Sequence, residues 1–209
     1  MYLINNSDFM DYKSRVIEEA SKLFRIYGIK SVTMDMLAAN LGISKRTIYE
    51  VFKDKDELLK GVVAWMYERQ NENITKILEE SENVIEANFK MIELMRNHFQ
   101  NMSPAFMLDI KKYHNTSDLK SHGTADMLDY RKGLEIVARG IKEGVFRKDL
   151  EIELVNKCIF ELIRISADNE IFPLDKYSRN DILKNVYINY LKGISTPRGL
   201  ELINSMESR

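Results

Sequence analysis

The chain has 209 residues, with 31 Lys and Arg against 32 Asp and Glu, for a formal net charge of −1; 44% of it is hydrophobic and 30% charged. That length and mixture suit a globular protein with a core of its own and exclude a disordered or fibrous chain. Its 9 glycines and 3 prolines are about half of average usage, too few for the many turns of a sandwich or barrel, so the expected class is all-α.

The first periodic segment runs from about Asp8 to Tyr27, with Val16, Ile17, Ala20, Leu23, Phe24 and Tyr27 at helical spacing and Gly28 placed to end it. Thr33 reads as an N-cap with Asp35 in the first turn of a short helix to about Leu41. Gly42 breaks that helix. Ser44 caps a third helix that carries Ile48, Val51 and Phe52 inward, and Asp54 with Glu57 has the spacing of a capping box for a fourth. Longer helices follow: about Asp56 to Glu80, Asn83 to Gln100, one opening at Pro104, Ala125 to Val145, Glu151 to Asn169, and Arg179 to Lys192 capped by Ser178. Tyr113 to Thr124 is the most loop-like interior stretch, and the tail after Pro197 has room for one short helix.

Cys158, the single cysteine, excludes an internal disulfide and a Cys-rich zinc site and fits a reducing cytoplasm. The N-terminal residues have neither a basic region nor an apolar run of signal length, and no stretch reaches the length of a membrane span, so neither export nor membrane insertion is expected. His98, His114 and His122 are too scattered for a metal site. No phosphate-binding glycine loop or nucleophile elbow occurs, so no catalytic residue, cofactor or metal is assigned.

Met34 to Phe52 has the spacing of a helix-turn-helix. Two short helices cross closely only if a small residue faces the partner, the turn accepts positive φ, and a branched apolar residue anchors the second helix. Ala38, Gly42 and Ile48 meet those needs. Such a second helix enters the DNA major groove by its N-terminal end, and Lys45, Arg46, Thr47 and Tyr49 cluster there. Arg46 suits a bidentate contact to guanine; Thr47 offers a hydroxyl, or a methyl for thymine. Residues 1–55 carry nine Lys and Arg against seven Asp and Glu, a small excess of the sign that DNA favours.

The run from Leu41 to Leu58, LGISKRTIYEVFKDKDEL, closely resembles the signature of the TetR family of bacterial transcriptional repressors, and Thr33 to Ala38, TMDMLA, resembles the helix before it. Gly140 to Arg147 resembles a turn found later in many members. The resemblance implies an N-terminal three-helix DNA-binding domain (1–55), a fourth helix leading into a helical ligand-binding and dimerisation domain (56–209), and a homodimer on double-stranded operator DNA controlled by a small-molecule effector. Position by position, it implies base or phosphate contacts from Lys45, Arg46 and Thr47, phosphate contacts from Tyr49 and Lys55, and close approach of Thr33 and Met34 to the DNA backbone. Members often carry His or another polar residue at the position of Glu50 or Val51; here a carboxylate stands near phosphate, which weakens binding or turns Glu50 outward.

Trp65, Phe89, His98, Met102, Phe106, Met107, Tyr113, Tyr130 and Phe160 are candidates to line an effector pocket, with ordinary core packing as the competing role for each, and 11 methionines would suit an adaptable apolar cavity. Cys158 reads as a small buried apolar residue beside Val155, Ile159 and Leu162. Ile152 to Ile165 and Ile182 to Leu191 are apolar over more than one stripe, as expected of helices paired across a two-fold axis. The expected function is a ligand-released repressor. The competing function is a helical protein-interaction module of the same fold without DNA binding.

Overall fold

The computed structural model describes residues 6–100, 102–116, 129–168, 170–173 and 175–208, and the described residues fold as a succession of helices. They are α1 (Asn6–Tyr27), α2 (Met34–Leu41), α3 (Lys45–Val51), α4 (Lys55–Glu80), α5 (Val84–Gln100), α6 (Pro104–Thr116), α7 (Tyr130–Lys142), α8 (Ile152–Ala167), α9 (Arg179–Ile182), α10 (Asn189–Ile194) and α11 (Pro197–Glu207), with a π-helical stretch, Leu183–Ile188, between α9 and α10. Periodicity predicted one uninterrupted helix from Arg179 to Lys192; the π stretch is the difference. α6 extends to Thr116 into the expected loop, while its remainder, 117–124, and the expected helix start at Ala125 lie outside the described residues. Among the described residues no helix is long and apolar enough to cross a membrane.

The chain forms two units, residues 1–69 with 100–124 and residues 70–99 with 125–209. The division falls within α4 and not at the expected 55/56 boundary, because Leu58, Leu59, Val62 and Val63 on the first half of α4 are buried in the first core. That core also takes Val16, Ala20, Leu23 and Phe24 from α1, Leu37 and Ala38 from α2, Ile48 from α3, Phe52, and Phe106 from α6. Full burial of each large apolar side chain is worth roughly 1.5–3 kcal/mol. Tyr27, which spacing assigned to the apolar face, is 51% exposed. Gly28 closes α1 at φ 83°, and a Cβ there would stand 2.9 Å from that of Ala105, so the glycine serves both the left-handed turn and the approach of α6. Asp109 on α6 accepts the Lys30 N–H (3.0 Å), and Ser103 N–H donates to the Arg25 carbonyl (2.8 Å).

The second unit packs Val84 and Ile85 of α5, Ile136 and Val137 of α7, Val155 and Ile159 of α8, and Ile188, Leu191 and Ile203 from the C-terminal helices. The turn after α7 is locked by Phe146, whose ring lies where a side chain on Gly140 would be, 2.1 Å from its Cβ position, and by an isolated antiparallel bridge from Phe146 to Ser195. Arg139 secures the end of α4: its guanidinium donates to the Leu78 and Ser81 carbonyls and to Glu143 (2.6 Å), while Glu143 accepts from the Val84 N–H.

Candidate functional site

Local capping builds the helix-turn-helix. Thr33 Oγ1 accepts from the Met36 N–H (3.1 Å) to start α2, and Gly42 at φ 67° ends it. Ser44 Oγ accepts from the Thr47 N–H (3.1 Å) to start α3. Ile48 (0% exposed) and Phe52 (2% exposed) anchor α3 from beneath. At the start of α4, Asp54 accepts from Glu57 N–H (2.8 Å) and Glu57 reaches back to the Lys53 N–H (2.6 Å), satisfying two otherwise orphan donors.

The outer face of α3 carries Lys45, Arg46 and Tyr49, all exposed, with Arg46 the most open at 89% of its side chain. Each cation meets a carboxylate. Lys45 Nζ lies 2.7 Å from Asp35 Oδ2, a hydrogen bond that holds its pKa above the usual lysine value and ties α3 to the first turn of α2. Arg46 Nε lies 3.4 Å from Glu50 Oε1 one turn on, so Glu50 neither points into space nor stands alone. The Thr47 hydroxyl shares a hydrogen bond with Ser44 Oγ (2.8 Å), which leaves its methyl as the freer group.

Two of the expected DNA contacts differ in the structure. The Met34 side chain is 7% exposed and belongs to the first core, so only backbone remains there for a phosphate, whereas Thr33 beside it is exposed. The Lys55 ammonium donates to the Val32 carbonyl (2.5 Å) and lies 5.9 Å from the Phe24 ring centroid; burial pushes its pKa down. A long aliphatic stem let the chain fold this lysine back to brace the segment before α2.

The described candidates for the pocket are divided between the two units. Phe106 is buried in the first core, Met102 packs on it, and Trp65, also in the first unit, stacks under Arg69 (5.3 Å). Phe89 packs against the second core, and Tyr130 is 44% exposed over the Phe160 ring (5.4 Å between centroids). The side chains of His98, Met107 and Tyr113 lie outside the described residues. Of the described candidates, Phe160 alone lines a cavity in the second unit, which has a volume of about 50 Å³.

Ile74, Met91, Ile92, Met95, Ile159 and Leu183 give that cavity an apolar wall, and Gln70, Asn88, Asn156 and Tyr187 supply its polar groups. Tyr187, buried and with its pKa pushed up by that burial, donates to Asn88 Oδ1 (2.5 Å), whose amide donates to the Val84 carbonyl (2.7 Å). The signal for this site was present in the sequence as polar residues interrupting apolar helical stripes. Cys158, expected in the core, is exposed: Val155 and Ile159 define the inward stripe of α8, and Cys158 is turned about 100° away from Ile159.

Comparison with known proteins agrees with this architecture. Residues 16–62 match the family described as bacterial regulatory proteins, tetR family. The HTH-type transcriptional regulator YvaF of Bacillus subtilis (strain 168) is 34% identical over 187 residues, covering 87% of this chain and 94% of its own. The HTH-type transcriptional repressor KstR2 of Mycobacterium tuberculosis is 23% identical over 162 residues, 74% of this chain and 79% of its own. Among solved structures, a transcriptional regulator from Saccharomonospora viridis in complex with choline superposes with a TM-score of 0.66 at 20% identity, over 90% of this chain and 99% of that one. A capped helix-turn-helix within the matched segment, and a full-length relative at that identity, lead to one conclusion: this chain belongs to the TetR family of bacterial regulatory proteins and is a helix-turn-helix transcriptional regulator.

Proposed function

We infer that the protein is a cytoplasmic repressor that binds a palindromic operator as a homodimer and is released by a small molecule. The observation that carries this reading is α3: a short helix capped by Ser44, anchored by Ile48 and presenting Arg46, Lys45 and Tyr49 outward at the end that enters a major groove. The pairs Lys45–Asp35 and Arg46–Glu50 are exposed, so exchanging a carboxylate for a phosphate or a guanine edge costs little. Phosphate contacts supply most of the affinity, and base contacts with half-site spacing select the site. The name of KstR2 supports repression, and the choline-bound neighbour supports a ligand in the helical unit. Leu154, 64% exposed on α8, lies in a segment apolar enough to bury against a second copy.

Release follows from linkage: a ligand that favours a conformer with poorly placed recognition helices weakens operator binding, and operator weakens ligand binding by the same factor. The carboxylate partners of both α3 cations favour the alternative, a protein-interaction module without DNA binding. A mobility shift on selected duplex DNA at several salt concentrations separates the two. Affinity that falls steeply with salt supports the repressor, and absence of a shift at low salt refutes it.

A further inference from the structure

The cavity of the second unit restricts the chemistry of its occupant. None of its lining residues carries a charge. Among the cations that adjoin lining residues in sequence, the Lys132 ammonium donates to the Asn71 carbonyl and the Thr75 hydroxyl, Lys90 pairs with Glu86, and Arg96 pairs with Glu93. A carboxylate or an ammonium entering this site would lose its hydration without gaining a counter-charge. The occupant is therefore neutral and mostly apolar.

One polar atom remains to be matched. Asn156 is fully buried on α8 and its amide nitrogen donates to the Tyr130 carbonyl (3.0 Å), which fixes the orientation of the side chain. Its Oδ1 is buried without a hydrogen-bond partner, and among the described residues Asn156 is the one lining residue of the cavity with such an atom. Gly133 on α7 makes this placement possible: a Cβ there would stand 2.2 Å from Oδ1 and 2.8 Å from the Phe160 ring. The other hydrogen-bonding pair of the wall, Tyr187 and Asn88, satisfies itself. Tyr187 and Leu183 also lie in the π-helical stretch, a local deformation often found at functional sites.

We propose that the effector is a neutral, predominantly apolar molecule carrying a hydrogen-bond donor, a hydroxyl or amide N–H, that is received by Asn156 Oδ1 beside Gly133. The proposal rests on reading the second unit as effector-binding and adds the ligand class. At about 50 Å³ the cavity accommodates a few waters, so larger occupants displace the flexible Met91 and Met95 side chains.

The test uses the full chain and four probes of matched size: 1-hexanol, methyl pentyl ether, hexanoate and pentyltrimethylammonium, each titrated calorimetrically and then added to the protein on its selected operator. The alcohol is expected to bind at least about tenfold tighter than the ether, and both charged probes more weakly than either. Asn156→Leu should abolish the alcohol's advantage while retaining ether binding; where that variant does not fold, the wild-type comparison decides alone. Equal binding of alcohol and ether, tightest binding of a charged probe, or no binding by any of the four would overturn the proposal. Binding that follows the predicted order with operator affinity unchanged at saturation would leave the ligand class standing and remove the ligand-responsive reading instead.

Discussion

Replacing Glu50 with Gln should tighten DNA binding. Glu50 holds the Arg46 guanidinium at 3.4 Å, with 49% of its own side chain and 89% of the arginine's exposed. At that distance two unit charges attract by about 1 kcal/mol in water, and measured exposed pairs contribute roughly 0.2–1 kcal/mol. The variant removes this restraint and also a negative charge that the operator phosphates would face. Taking about 0.4–1 kcal/mol per recognition helix and two helices per dimer, operator affinity should rise by about 4- to 30-fold. The gain should shrink in high salt, because both effects act between exposed charges. Fluorescence anisotropy on a labelled operator measures this, with circular dichroism to check that α3 is intact. Weaker binding by a folded Glu50→Gln variant would refute the reasoning and mean that the carboxylate itself accepts from a base edge, as from a cytosine amine.

Lys55→Met should lower unfolding stability by about 1 kcal/mol, since the Val32 carbonyl loses a charged donor, and should leave the salt slope of DNA binding unchanged; a shallower slope with unaltered stability would return Lys55 to the phosphate backbone. Leu154→Glu should shift the dimer toward monomer at micromolar concentration in sedimentation measurements, and an unchanged dimer would exclude this part of α8 from the interface. Burial, and then the neighbouring Cys158, push the Tyr190 phenol up to about 12. An unfolded tyrosine loses its proton near 10, so this residue's contribution to stability is complete below about pH 10 and is lost as pH rises toward 12. Absorbance titration should find a tyrosinate that forms only as pH approaches about 12.

The DNA-facing half of the molecule was legible because its determinants are local. Ser44 and Thr33 cap, Gly42 turns, and Ile48 falls inward, all within twenty residues whose spacing states the geometry. The direction of a long side chain is not written in such spacing, which is why Lys55 reads as a phosphate contact from sequence and braces Val32 in the fold. Nor does an aromatic or methionine reveal which core it joins. Met102 and Phe106 belong to the first unit because α6 and the residues before it return to that core, a long-range fact that no helical period contains. The cavity instead gathers Gln70, Asn88 and Asn156 from three helices, and their common signal was the burial cost of an amide on an apolar stripe.

The most direct measurement is selection of duplexes from a random pool by the purified protein, followed by affinity titration of wild type and Arg46→Ala on the selected sequence. The account predicts an inverted repeat bound by a dimer, salt-dependent affinity, and a loss for Arg46→Ala of about 1–3 kcal/mol per contacted base with relaxed preference at one base pair in each half-site. A pool that yields no enriched sequence, or a selected duplex bound equally well by Arg46→Ala, would contradict the assignment of α3 as the helix that reads DNA.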